Sequence, residues 1–251
     1  MKYPEFIIIS AYKAGTTAMW YNLDKHPKIH MAKKKESVEM NFWGLQFYKK
    51  GHDWYKSFFE DDYICGEKTP GYYLSKKSIR QIHKHIPKCK IIMCVRNPVD
   101  RAYSHYQMNY KTAASQSNFT YQLFQRRYAR AGKYFTLLEN NVLPFFDKSQ
   151  LYVIVMEHMK KNTSEEMKKV FEFIGVEDLN FSSKEIDPII RKNKTRNETV
   201  KINRNENFYR VWSRHKEKLT GPMRKQLIDY YRPFNRQLYE FLGYKIKEWD
   251  K

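Results

Sequence analysis

Residues 6–23 read Phe6-Ile7-Ile8-Ile9-Ser10-Ala11-Tyr12-Lys13-Ala14-Gly15-Thr16-Thr17-Ala18-Met19-Trp20-Tyr21-Asn22-Leu23, and they decide the fold. The apolar run Phe6-Ile7-Ile8-Ile9, with β-branched residues at its last three positions, predicts a strand covered on both faces in a parallel sheet. A turn of small residues follows, and after Gly15 the apolar positions Ala18, Met19 and Leu23 recur near helical spacing. The pattern is strand, loop, helix, with Thr16 or Thr17 expected to cap the first helical turn. Such a junction suits an anion, because unpaired amides and the positive end of the helix dipole face the loop.

The position of the lysine narrows the chemistry. A nucleoside-triphosphate loop reads G-x-x-x-x-G-K-[ST], with lysine directly after the second glycine and the hydroxyl on magnesium. Here Ser10 stands at the first glycine, Thr16 at the lysine, and the loop's cation is Lys13. A nucleotide kinase would lack its central cation. One lysine and a helix N-terminus still suit a phosphosulfate, whose outer group carries less charge and whose leaving phosphate can be neutralised without metal.

Outward from this stretch, His26-Pro27 stops the first helix and Ile29–Met31 reads as a short edge strand. Lys33 to Trp43 is a charged segment running into aromatics. Trp54, Tyr55, Phe58 and Phe59 then mark one helical face, expected to pack in the core. Residues 63–73 form a strand ending in a Pro-Gly turn, and Ser78 to His85 form a helix. Lys90 to Val95 is a second buried strand; Arg96-Asn97-Pro98 and a helix over 99–106 follow it, so Arg96 lies at the same sheet edge as Lys13 if the strands are parallel neighbours. Residues 111–118 predict a mobile loop, 119–146 a helical region broken near Gly132, Leu151–Val155 a third buried strand, and Ser164–Ile174 a helix capped by Ser164 and stopped at Gly175. Residues 182–207 read as a polar, basic loop, and 222–242 as a final helix with Leu227, Tyr230, Tyr231, Leu238, Tyr239 and Leu242 on one face. The fold class is α/β: a P-loop-like three-layer arrangement, a central parallel sheet flanked by helices, in a single domain over residues 1–251.

Composition sets the outer bounds. Hydrophobic residues at 41% suffice for a core, while no apolar run approaches the roughly 18 residues of a membrane span. Without a leader, a complete chain is expected to be cytoplasmic; a trimmed lumenal Golgi domain is the alternative. Cys65, Cys89 and Cys94 show no metal spacing and read as reduced thiols, and no metal site is expected. The net charge of +20 is spread along the chain without a long block, which favours an acidic substrate or cofactor over nucleic acid.

Four segments in order resemble the sulfotransferases that use 3′-phosphoadenosine 5′-phosphosulfate (PAPS): the Lys13–Thr17 loop, Glu39-Met40-Asn41-Phe42-Trp43, Glu67-Lys68-Thr69-Pro70, and Arg96-Asn97-Pro98 with Arg101 and Ser104. The heparan sulfate (glycan) branch is the most similar. Tyr48 to Tyr55 with Phe58-Phe59 resembles the sulfotransferase domain of heparan N-deacetylase/N-sulfotransferases, and Tyr231-Arg232-Pro233-Phe234-Asn235 through Gly243 resembles the family's closing helix.

The resemblance implies the following roles. Lys13, Ala14, Gly15, Thr16 and Thr17 would hold the 5′-phosphosulfate, with Lys13 stabilising charge on the bridging oxygen; Arg96 and Ser104 would bind the 3′-phosphate. Glu39 would be the general base toward a carbohydrate hydroxyl or amine, with Glu36 as the alternative carboxylate, and Lys68 would orient the acceptor across the site. Lys201 and Arg204 loosely echo the family's late basic loop over the nucleotide. Asn41 stands where several glycan members carry histidine, and no cysteine after Cys94 matches the disulfide of secreted members. Two other functions are open: a non-catalytic polyanion-binding module, and a nucleotide kinase with a variant loop.

Overall fold

The computed structural model describes residues 1–109, 128–179 and 219–250. The expected strands form a five-stranded sheet in which every pairing is parallel: β1 (Phe6–Ser10), β2 (Ile29–Met31), β3 (Ile64–Lys68), β4 (Lys90–Val95) and β5 (Leu151–Val155), in the order β2-β3-β1-β4-β5. Their side chains explain the arrangement. β1 is buried at every position and β4 at all but its first, as central strands covered by helices must be, whereas three-residue β2 sits at an edge.

Among the described residues the flanking helices are α1 (Thr16–Leu23), α2 (His52–Lys56), α3 (Lys76–His85), α4 (Pro98–Asn109), α5 (Tyr134–Leu137), α6 (Met156–Lys161), α7 (Thr163–Ile174) and α8 (Gly221–Leu242). Pro98 opens α4, and the Asn97 side chain caps it by accepting from the amides of Val99 and Asp100 at 3.0 and 3.4 Å. Thr220 caps α8, and Gly243 ends it in the left-handed conformation.

Three local expectations are corrected. Neither Thr16 nor Thr17 caps α1: Gly15 holds the cap position at φ +80°, and both threonines fall inside the first turn. Ser164 does not cap α7, which begins one residue earlier after Asn162. The aromatic helix over 54–59 closes at Lys56, yet its spacing survives in edge-on contacts of Trp54 with Phe58 and Tyr55 with Phe59. Of the helical region expected over 119–146, the described part carries a 3₁₀ turn at Arg130–Gly132, then α5 and a wider helical turn at Leu138–Val142. The loops at 111–118 and 182–207 lie outside the described residues.

The strand order places the chain's reversal between β1 and β4: from β1 the chain winds toward β3 and β2, and from β4 toward β5. Loops at the carboxyl ends of two such strands diverge and leave a crevice. The Lys13 loop and Arg96 stand at that crevice.

Candidate active site

A cavity of about 490 Å³ opens at this reversal point, lined by Tyr12, Lys13, Gly15, Thr16, Thr17, Glu39, Pro70, Arg96, Asp100, Tyr103, Ser104, Gln107 and Met108. The sequence thus names seven of its walls in advance: Lys13, Gly15, Thr16, Thr17, Glu39, Arg96 and Ser104. Ala14 is buried in the core beneath the loop, and Lys201 and Arg204 lie outside the described residues.

Backbone conformation shapes the Lys13 side of the cavity. Lys13 and Gly15 both have positive φ, 68° and 80°, which turns the loop back under the start of α1. The φ of Gly15 is one that residues with a Cβ rarely adopt, and a Cβ there would also push on the end of the Met156 side chain, whose methyl carbon would stand 2.2 Å away. Arg96 Nη1 donates to the Lys13 carbonyl at 3.2 Å and ties the two strand tips together. The Arg96 backbone is clamped in turn by Tyr134, whose hydroxyl donates to the Arg96 carbonyl at 2.6 Å. Two cations and a helix N-terminus therefore face one cavity.

Glu39 faces the same cavity with its side chain 30% exposed, whereas Glu36 lies exposed at the surface. Glu39 is held by Lys68, whose Nζ donates to Glu39 Oε1 at 3.0 Å and to Thr17 Oγ1 at 3.1 Å. Lys68 is 1% exposed and lies behind Glu39 rather than among the lining residues, which corrects the expectation that it stands across the site. As the last residue of β3 it projects toward α1, and β3 alternation sends Glu67 to the opposite face. Burial pulls the Lys68 ammonium below its ordinary pKa, and the Glu39 charge opposes that pull. Burial, and secondarily the Glu39 charge, raise the Tyr12 phenol.

Sequence reasoning missed Tyr12, Pro70, Asp100, Tyr103, Gln107 and Met108. The signal for most of them was the helical period: positions 100, 107 and 108 stand three or four residues from Ser104 on α4, and Tyr103 stands four before Gln107. Tyr12 stacks on His105 with ring centroids 5.3 Å apart, and Asp100 is paired by Arg224 of α8. Arg101, quoted with the Arg96 motif, does not line the cavity. It is fully buried, with its guanidinium donating to the Tyr128 carbonyl.

Behind the site lies a second carboxylate. Glu67 is fully buried and accepts from Tyr55, Thr69 and Tyr72, and burial pushes its pKa up to about 7 against the opposing pull of these hydrogen bonds and of Lys34. The Tyr55 and Tyr72 phenols beside it are raised well above their ordinary value, so they stay protonated as it ionises. A carboxyl whose folded pKa lies above its unfolded value contributes stability that is full below pH 4.5 and is lost as pH rises through about 7. The melting temperature of the native chain should therefore decline across that window relative to Glu67→Gln, which does not titrate. Calorimetry at matched ionic strength checks this, and parallel curves for the two proteins would contradict it.

The family model for the sulfotransferase domain matches residues 3–249 of this chain. Human bifunctional heparan sulfate N-deacetylase/N-sulfotransferase 2 is 30% identical over 196 residues, covering 69% of this chain and 22% of that protein. The chain thus corresponds to about a fifth of the length of such relatives. Human heparan sulfate glucosamine 3-O-sulfotransferase 6 is 25% identical over 260 residues, covering 96% of this chain and 72% of that protein. Among solved structures, a sulfotransferase from Alicyclobacillus acidocaldarius superposes with a TM-score of 0.75 at 19% identity, covering 100% of both chains.

Proposed function

The chain belongs to the sulfotransferase domain family, and from that premise we propose that it transfers the sulfuryl group of PAPS to a hydroxyl or amine of a carbohydrate acceptor. The observation that carries the proposal is a single cavity holding a carboxylate, two cations and the start of α1. The donor set fits the cosubstrate, because Lys13, Arg96, Ser104, Thr16 and Thr17 are cationic or hydroxyl groups suited to two separate phosphates. Bound there, PAPS would supply an activated sulfuryl group on a phosphate leaving group.

In this mechanism Lys13 and the amides of the α1 N-terminus stabilise the charge that grows on the bridging oxygen as the S–O bond breaks. Arg96 and Ser104 hold the 3′-phosphate, with the guanidinium fork matched to its oxygens. Glu39 removes the proton from the acceptor atom as that atom attacks sulfur in line. Lys68 keeps the Glu39 carboxylate aimed into the cavity. Lys201 and Arg204 are proposed as further cationic contacts to the nucleotide. A carbohydrate acceptor is supported by the relatives named for heparan sulfate, and the net charge of +20 favours one that is already acidic.

Isothermal titration with adenosine 3′,5′-bisphosphate tests the nucleotide half of the proposal. Micromolar binding is expected, weakened by about 10- to 150-fold in Lys13→Ala or Arg96→Ala, the equivalent of ~1.5–3 kcal/mol for a hydrogen bond to a charged partner. No binding, or binding indifferent to both substitutions, would remove it. Incubation with PAPS and a panel of glycans with and without a free amine, read as a sulfate mass shift, tests the acceptor; a shift confined to the amine-bearing glycans indicates N-sulfation.

A further inference from the structure

We propose that Glu67 is a positioning residue for Glu39, fixing the backbone of residues 41–43 through three buried hydroxyl groups. This rests on the reading of Glu39 as the base. The Tyr55 hydroxyl donates to Glu67 Oε1 at 2.5 Å, Thr69 Oγ1 donates to Oε2 at 2.9 Å, and the Tyr72 hydroxyl reaches Oε1 at 3.1 Å. Each of these oxygens accepts on its other side. Thr69 Oγ1 takes the Asn41 amide at 3.0 Å, the Tyr72 hydroxyl takes the Phe42 and Trp43 amides at 2.8 and 3.2 Å, and the Tyr55 hydroxyl takes the Trp43 indole N–H at 3.0 Å.

The direction of the protons is what makes Glu67 specific. Once ionised, above about pH 7, Glu67 only accepts, so all three hydroxyl protons must point inward, and the lone pairs left over face the amides of the loop. An amide side chain of the same shape brings a donor into the node. One hydroxyl then has to turn its proton outward, against an N–H that already needs an acceptor. Asn41 makes the loop sensitive to this, since its φ of +51° is a left-handed conformation that neighbouring contacts must hold. Three consecutive amides converging on one side form the kind of concavity that normally takes an anion. Here the ionised form of Glu67 takes that place, one hydroxyl removed.

The tip of β3 therefore holds the base segment from both faces. Lys68 takes the Glu39 carboxylate, and Glu67 takes the backbone starting two residues later. All of Glu67, Thr69, Tyr55, Tyr72, Phe42 and Trp43 are buried, so water does not substitute for a lost acceptor.

The test measures kcat, KM for acceptor and nucleotide affinity in Glu67→Gln, Tyr72→Phe, Glu39→Gln and the double variant Glu67→Gln/Glu39→Gln. Misplacement of the base by a fraction of an ångström to an ångström is expected to lower kcat by about 10- to 100-fold in Glu67→Gln. Affinity for adenosine 3′,5′-bisphosphate should be unchanged. Tyr72→Phe, which removes one relay and leaves the carboxylate, should fall between the native chain and Glu67→Gln. In the Glu39→Gln background, Glu67→Gln should cost nothing further, because there is no base left to aim.

An equal loss in both backgrounds, or a native kcat in a folded Glu67→Gln, overturns the inference. Should Glu67→Gln not fold, Tyr72→Phe decides, and native turnover there overturns it. Native turnover in Glu39→Gln instead refutes the base assignment itself, a result distinct from any failure confined to the Glu67 variants.

Discussion

Glu39→Gln is expected to lower turnover by about 10²–10⁴-fold, the typical contribution of a positioned general base, with nucleotide affinity retained. Glutamine keeps the shape and an oxygen able to accept from Lys68 Nζ, which now bonds Glu39 at 3.0 Å. It cannot take a proton from the acceptor. The residues proposed to bind the nucleotide, Lys13, Arg96 and Ser104, come from the loops and helix that follow β1 and β4, not from the segment that carries Glu39, so their grip should survive. Single-turnover assays beside titration calorimetry separate the two effects. A non-catalytic polyanion-binding protein behaves differently: its glycan affinity would fall steeply with salt and would be indifferent to this substitution. The variant also removes the charge that holds Lys68 protonated against burial, so its ammonium should move further below the ordinary lysine range.

Trp43→Ala should be the most damaging change to stability near the site, costing ~3–5 kcal/mol as a large-to-small core substitution. Trp43 is fully buried, with its ring centroid 5.0 Å from Tyr55, 5.1 Å from Phe42 and 5.6 Å from His52 and His85. Its indole N–H donates to the Tyr55 hydroxyl at 3.0 Å, so alanine both opens a cavity and strands a buried acceptor. For a chain of this size the loss corresponds to a fall of about 6–20 °C in melting temperature, measurable by calorimetry. A shift of less than about 2 °C would mean that the aromatic cluster is not the support of this segment.

The parts of this fold written in local pattern were legible, and those that depend on facing were not. β1, β4 and β5 announce themselves as unbroken apolar runs, because central parallel strands have no polar face. Lys13 and Arg96 could be placed together for the same reason: each directly follows or closely trails such a run. The threonine caps failed because a glycine in the left-handed conformation starts α1 one residue before the first threonine. Lys68 and Glu67 are adjacent in sequence, and nothing local says which turns toward α1 and which toward Tyr55 and Tyr72. That is fixed by the register Ile8↔Lys68, a pairing between distant residues. The Glu67 network likewise joins four segments, each unremarkable alone. The α4 wall was within reach, since the period that names Ser104 also names Asp100 and Gln107.

The central place of β1 bears on how the protein is made. Phe6 pairs with both Gly66 and Lys90, so the first strand emerges from the ribosome long before either neighbour exists. Closing loops of that length is slow, and the Arg96–Lys13 bond forms only once the longer one, which pairs β1 with β4, is closed. A ligand that needs both cations should recognise only finished molecules and, by mass action, draw late intermediates toward maturity.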